Sequence, residues 1–167
     1  EGLRLGAGHY AYAFMTPMGV VLKVTDDEED ARVCKMILDF TKSGDGTVPT
    51  GLPYIRGVYR LPGDVVEDET DVARERPLFA IVMEPVTPAS KTGLSRTMAG
   101  VRPRLLGEAV LYPSEEAILP NEEAREFVKK IRRGIHWLAV RGVSVVDLHH
   151  DNFGYAAGKR PVIIDFG

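Results

Sequence analysis

The sequence contains few of the features that identify several common classes of protein. Its 167 residues include a single cysteine, Cys34, so an internal disulfide cannot form and we expect a reducing, cytoplasmic compartment. No apolar run approaches the ~18 residues of a membrane span, and the N-terminus does not look like a signal peptide. A net charge of −3 gives no general attraction to nucleic acid or to anionic membranes. We therefore expect neither a membrane nor a nucleic acid as a partner.

The order of the expected elements is typical of an α+β protein. Strand-like segments fill residues 3–24, and the acidic run TDDEED at 25–30 opens a helix that Thr25 or Asp26 is expected to cap. More strands are expected before residue 86. A long amphipathic helix is expected over 122–141, with Gly142 in the left-handed conformation that ends it. This order predicts a β-rich lobe (residues 1–84) and a helical lobe (residues 85–167), with a ligand cleft between them.

A short glycine-rich stretch, LGAGHYAYAF at residues 5–14, lies between two candidate strands. Glycine permits positive φ and lets backbone N–H groups approach a phosphate closely. A plain hairpin turn has the same pattern, so Gly6 and Gly8 alone do not define a site. The stretch matches neither a dinucleotide fingerprint nor a P-loop, because no helix opens after it and no Gly-Lys-Ser/Thr follows.

Lys23 is the one charged residue in the apolar strand 20–24. A lysine on the solvated face of an edge strand would explain it. The alternative is a cation directed into a cleft, where it would neutralise phosphate oxygens held by the glycine-rich stretch.

The end of the chain, VVDLHHDNFGYAAGKRPVIIDFG at 145–167, adds polar residues close to buried strands. Asp147 can accept a proton from an attacking hydroxyl. Asn152 and Asp165 supply hard oxygen ligands of the kind that Mg²⁺ prefers. Each residue alone could instead cap a turn or end a strand, but all of these parts in this order are improbable by chance.

These segments together resemble the protein-kinase-like superfamily, and the resemblance covers nearly the whole chain. LGAG at 5–8 resembles the start of the glycine-rich loop, and VVLK at 20–23 resembles the strand that carries the catalytic lysine. LFAIVMEPV at 78–86 is similar to the fifth strand and hinge. DLHHDN at 147–152 and DFG at 165–167 resemble the catalytic loop and the Asp-Phe-Gly motif.

The resemblance implies a two-lobe fold, with a β-rich N-lobe and a helical C-lobe that is either complete or truncated in this chain. It also implies an ATP- and Mg²⁺-dependent kinase. Asp147 would be the base, with Lys23 on the α/β-phosphates and Asn152 and Asp165 on metal. Glu29 is our choice for the carboxylate that pairs with Lys23, with Asp30 close behind. The residues expected at ATP are Gly6, Ala7, Gly8, His9, Val21, Lys23, Met83, Glu84 and Val86.

Departures from the family pattern leave the acceptor open. Val145 and Val146 stand where His and Arg normally precede the catalytic aspartate, so control by a phosphorylated activation loop is not expected. The stretch GAGHY at 6–10 resembles compact phage and bacterial protein kinases, which favours a Ser/Thr protein substrate in the bacterial or host cytoplasm. The Asp-Leu-His pattern at 147–149 resembles aminoglycoside and choline kinases, so a small alcohol stays an alternative. A relative of these kinases that binds nucleotide without catalysis is the third alternative.

Overall fold

The structure is a computed structural model that describes residues 3–7, 11–62, 65–67, 73–75, 77–89, 122–145 and 152–166. For 3–7, 11–12, 65–67 and 73–75 it describes the backbone alone. The predicted site residues Gly8, His9 and Asp147 lie outside the described residues.

The protein is α+β, and its chain divides into two compact units. The first comprises Glu1–Gly44 and Tyr54–Pro85, and the second comprises Asp45–Pro53 and Val86–Gly167. The segment Asp45–Pro53 therefore packs with the second unit, although it precedes most of the strands of the first.

The first unit contains a five-stranded antiparallel sheet in the order β1-β2-β3-β7-β4. A separate antiparallel pair is formed by β5 and β6. The sheet strands are mostly apolar and bury one face, as expected for a half-covered antiparallel sheet. The strands of this unit are β1 Leu3–Ala7, β2 Ala11–Met15, β3 Val21–Thr25, β4 Ile55–Leu61, β5 Val65–Glu67, β6 Ala73–Glu75 and β7 Leu78–Met83.

Helix α1, Glu28–Ser43, begins within the acidic run, as the sequence predicts. Its N-cap is Asp27, whose Oδ1 accepts hydrogen bonds from the backbone N–H groups of Glu29 and Asp30 at 2.9 and 3.2 Å. The sequence favoured Thr25 or Asp26 as the cap, which is wrong. Thr25 instead accepts the N–H of Asp27 at 3.0 Å through its hydroxyl, and thereby orients the capping residue.

The second unit contains helix α2, Glu122–Ala139, and a three-stranded antiparallel sheet in the order β10-β9-β8. The strands are β8 Thr87–Pro88, β9 Phe153–Ala156 and β10 Arg160–Ile163, with a short 3₁₀ turn over Ala157–Lys159. No helix among the described residues is both long and apolar enough to cross a membrane.

The end of α2 confirms the prediction that Gly142 adopts a left-handed conformation, with φ of 79°. The N–H of Gly142 donates to Ala139 O at 3.0 Å, and the N–H of Val143 donates to Leu138 O at 3.0 Å. This pair of bonds is the Schellman motif, and the buried side chains of Leu138 and Val143 supply its usual apolar contact. The motif stops the helix at a defined residue.

Gly51 connects α2 to β10 by a close backbone approach. Its carbonyl accepts the N–H of Ile163 at 2.9 Å, and its φ is 83°. A Cβ at this position would lie 2.9 Å from the backbone N of Gly134 and closer still to the carbonyl oxygen of Lys130. Lys130 and Gly134 are both on α2, so only glycine at position 51 lets the loop lie against this helix.

We expect Gly51→Ala to destabilise the protein much more than Gly46→Ala. Gly46 also has a positive φ, 86°, but a Cβ there would meet nothing within 4 Å. Both substitutions place alanine in a left-handed conformation, at a cost of roughly 1–2 kcal/mol. Gly51→Ala should add roughly 1–3 kcal/mol for the clash with α2. Urea unfolding of both variants measures the difference, and equal destabilisation would contradict the close approach.

Candidate functional site

Lys23 lies on β3, an interior strand of the five-stranded sheet. Successive side chains of a strand point to opposite faces, and along β3 the buried ones are Val21, Lys23 and Thr25. Only 7% of Lys23 is exposed. The solvated-edge explanation for this lysine is therefore wrong, and its cation lies inside the unit.

The Lys23 ammonium forms an ion pair with the carboxylate of Asp30 on α1. Asp30 is 1% exposed, so both charges are largely removed from water. Such burial is costly, and it is tolerated when the two charges compensate each other directly. The pair thus couples the position of α1 to the position of the lysine.

The prediction of Glu29 as the lysine's partner is corrected by this geometry. Glu29 is exposed and bonds to Arg32 through two side-chain hydrogen bonds of 2.6 and 2.8 Å. This contact holds the pKa of Glu29 below its ordinary value and raises the pKa of Arg32.

The phase of α1 explains why Asp30 and not Glu29 turns inward. A helix has about 3.6 residues per turn, so residues at spacings of three, four, seven and eight share a face. From Asp30 these spacings fall on residues that are all buried: Val33, Cys34, Ile37 and Leu38. From Glu29 the spacing of three falls on Arg32, which is exposed. The helical phase in the sequence therefore contained the signal for Asp30.

Val21 and Met83 lie beside each other on the same face of the sheet as Lys23. Val21 is the direct cross-strand partner of Met83, and Lys23 is the partner of Ile81. Directly paired residues share a face, and these four side chains are all buried. These four residues thus combine the Lys23 cation with apolar side chains, a combination suited to a ligand with an apolar ring and an anionic group.

Glu84 follows β7 and bonds to Tyr54 twice. Its N–H donates to Tyr54 O at 3.0 Å, and its carboxylate accepts the N–H of Tyr54 at 2.7 Å. Val86, which precedes β8, is half-buried and belongs to the second unit. No pattern in the sequence indicates a role for Tyr54.

The glycine-rich stretch begins on β1. Gly6 and Ala7 are in this strand and pair with Ala13 and Tyr12 of β2, with an irregularity in register between Arg4 and Gly6. The structure therefore describes the strands at either end of the glycine-rich stretch, and residues 8–10 between them lie outside the described residues. The prediction that this stretch contacts phosphates stays a prediction.

Asn152 and Asp165 lie at the same end of the hairpin formed by β9 and β10. Phe153 pairs with Ile163, the last residue of β10. Ile164, which follows β10, donates its N–H to Asn152 O at 2.7 Å. Asn152 is 8% exposed and Asp165 is half-buried. Residues thirteen positions apart in sequence are therefore neighbours in the fold.

Aromatic packing holds this hairpin against α2. The ring of Phe127 on α2 lies 5.5 Å from the ring of Phe153 and 5.1 Å from that of Tyr155. The Tyr155 hydroxyl donates to Glu123 at 3.2 Å. Burial, together with the nearby Glu123 carboxylate, raises the pKa of Tyr155 to about 12, so the phenol stays neutral at ordinary pH.

The donor chemistry of Asn152 and Asp165 fits a hard dication. Amide and carboxylate oxygens are ligands for Mg²⁺, which fills its other positions with water and substrate phosphates and does not need a cage made of protein alone. Among the described residues, no group of three or more His, Cys, Asp or Glu side chains forms a metal site. Asn152 and Asp165 would supply two oxygen ligands, and water and phosphate oxygens would fill the remaining positions of a Mg²⁺ ion.

Comparison with known proteins does not assign the chain to a family. The scan against protein-family models finds no matching family, and the search of curated proteins finds no match. A function must therefore be inferred from the residues and their geometry.

We expect Asp30→Asn to destabilise the protein by roughly 3–5 kcal/mol, because it removes a negative charge that contacts the buried Lys23 ammonium. Glu29→Gln is the matched control on the neighbouring residue. It should stay close to wild-type stability, since exposed ion pairs contribute little. Chemical denaturation of both variants tests the assignment. A larger loss for Glu29→Gln than for Asp30→Asn would contradict it.

Proposed function

We propose that this chain is an ATP- and Mg²⁺-dependent phosphotransferase of the protein-kinase-like type, with two lobes and a hydroxyl of a Ser/Thr protein substrate as acceptor. The observation that carries the proposal is the buried ion pair between Lys23 and Asp30. A buried pair is weak evidence for stability, because apolar residues of similar size often stabilise as well or better. A buried charge held by one specific partner charge is instead a candidate for a functional site.

In this proposal Lys23 binds the α- and β-phosphates of ATP. Asp30 holds the ammonium in place from α1, so that the cation is ordered before the nucleotide arrives. Gly6, Ala7, Gly8 and His9 supply backbone and side-chain contacts to the phosphates. Val21 and Met83 offer the apolar surface for adenine, and the backbone of Glu84 and Val86 contacts its edge.

Asn152 and Asp165 would hold Mg²⁺, and the support for this role is their place at one end of the β9–β10 hairpin. Bound Mg²⁺ neutralises charge on the phosphate oxygens. The short hydrogen bond from Ile164 to Asn152, and the packing of Phe153 on α2, keep the two ligands in a fixed relation without the metal.

Asp147 is the proposed base. It takes the proton of the acceptor hydroxyl as the hydroxyl oxygen bonds to the γ-phosphorus. The bond between the γ-phosphorus and the β,γ-bridging oxygen breaks, and ADP leaves with that electron pair. Transfer to a protein is favoured by the GAGHY stretch at 6–10, which resembles compact protein kinases.

Asp147→Asn and Asp165→Asn should fail in different ways. In the full-length protein, Asp147→Asn should leave Mg-ATP affinity nearly intact but lower turnover by roughly 10²–10⁴, because only base assistance is lost. Asp165→Asn should weaken ATP binding in the presence of Mg²⁺, since an amide is a poorer ligand for a hard dication. Calorimetry with and without Mg²⁺, and radiolabelled transfer to proteins and to amino-alcohols, measure both effects.

The same experiment separates the alternatives. Wild-type protein that binds no Mg-ATP would contradict the proposal. Binding without transfer to any acceptor, with both variants unchanged in affinity, would support a nucleotide-binding module without catalysis. Transfer to amino-alcohols but not to proteins would assign the activity to the small-molecule class.

A further inference from the structure

The β4–β7 ladder ends in an unusual pair. The register places Ile55 opposite Met83, so Tyr54 and Glu84 form the next pair. In a hydrogen-bonded antiparallel pair, the two residues normally exchange both backbone N–H···O=C bonds. Here the N–H of Glu84 donates to Tyr54 O, but the N–H of Tyr54 donates to the Glu84 carboxylate at 2.7 Å. A side chain thus replaces one backbone acceptor.

A proline flanks this pair on each of the two strands. Pro85 follows Glu84 and has no N–H to donate, and it restricts Glu84 to extended conformations. Pro53 precedes Tyr54 on the other strand. The carboxylate fastens the last pair with a charge-assisted bond, which is shorter and stronger than a neutral one.

The pair closes both ends of one continuous segment. Tyr54 is the first residue of Tyr54–Pro85 and Glu84 is the residue before its last. The backbone of Glu84 and Val86 is also where the proposed function locates the edge of adenine. A bond that fixes Glu84 to Tyr54 therefore fixes the backbone that would recognise the base.

We propose that Glu84 is a positioning residue for adenine recognition, acting through the hydrogen bond that its carboxylate accepts from the N–H of Tyr54. The carboxylate itself does not touch the nucleotide. This inference rests on the proposed nucleotide-binding function and adds a role for a side chain where that function uses only the backbone.

The test compares Glu84→Ala with Glu84→Gln, using adenosine and Mg-ATP as probes on the full-length protein. Glu84→Ala removes the acceptor and should weaken both probes by the same factor, about tenfold. Glu84→Gln keeps an oxygen acceptor and should stay within about threefold of wild type. By contrast, Lys23→Ala should weaken Mg-ATP more than adenosine, because only ATP carries the phosphates.

Hydrogen exchange at the Tyr54 amide supplies a readout that does not depend on any ligand. It should be slow in wild type and in Glu84→Gln, and faster in Glu84→Ala. Glu126→Ala is the control, since Glu126 is an exposed glutamate of α2 that pairs with Lys129. It should change neither the exchange rate nor the affinities.

Each outcome decides the matter. Unchanged adenosine affinity in Glu84→Ala, in a wild type that binds adenosine, would overturn the positioning role and leave the proposed function standing. Unchanged exchange at Tyr54 would overturn the hydrogen-bond basis. The role would also be overturned if Glu84→Gln bound adenosine as weakly as Glu84→Ala while its Tyr54 amide stayed protected from exchange. In that case the charge of Glu84, and not its hydrogen bond, would determine the affinity. Wild type that binds neither probe would overturn the function as well.

Discussion

The buried ion pair between Lys23 and Asp30 is the interaction on which the first unit depends. It places a cation on the covered face of an antiparallel sheet and requires α1 to begin at a fixed place, because Asp30 lies in the helix's first turn. Asp27 caps that turn by accepting hydrogen bonds from the backbone N–H groups of Glu29 and Asp30. A buried ion pair often stabilises a protein no better than apolar residues of similar size, so this pair supports the proposed ligand-binding role of Lys23.

In the second unit, backbone and aromatic contacts hold the elements in place. Gly51 admits a loop against α2 and bonds to Ile163, while Phe127 packs on the rings of Phe153 and Tyr155. These contacts orient the β9–β10 hairpin, and the hairpin in turn brings two oxygen-bearing side chains to one end. Each unit therefore holds its own polar groups on rigid elements.

The sequence predicted the parts of this structure that are encoded locally, and missed those that depend on contacts between distant segments. The α+β class and the left-handed Gly142 follow from periodicity and from helix-end chemistry. Choosing Glu29 over Asp30 was an error of one residue in helical phase, in a run where neighbouring acids all suit a first turn. The bond between Tyr54 and Glu84 joins residues thirty positions apart and leaves no local pattern, so no inspection of either segment could reveal it.

The central claim is that Mg²⁺ and nucleotide bind together at Asn152 and Asp165, and paramagnetic broadening tests it most directly. Mn²⁺ takes the place of Mg²⁺ at oxygen-ligand sites and broadens the signals of nearby amides. With ATP present, Mn²⁺ should broaden the backbone amide signals of Asn152 and Asp165 in the NMR spectrum, while Gly46, in an exposed loop, stays sharp. Broadening should be much weaker when adenosine replaces ATP. Sharp signals from both residues at saturating Mn-ATP would contradict the account.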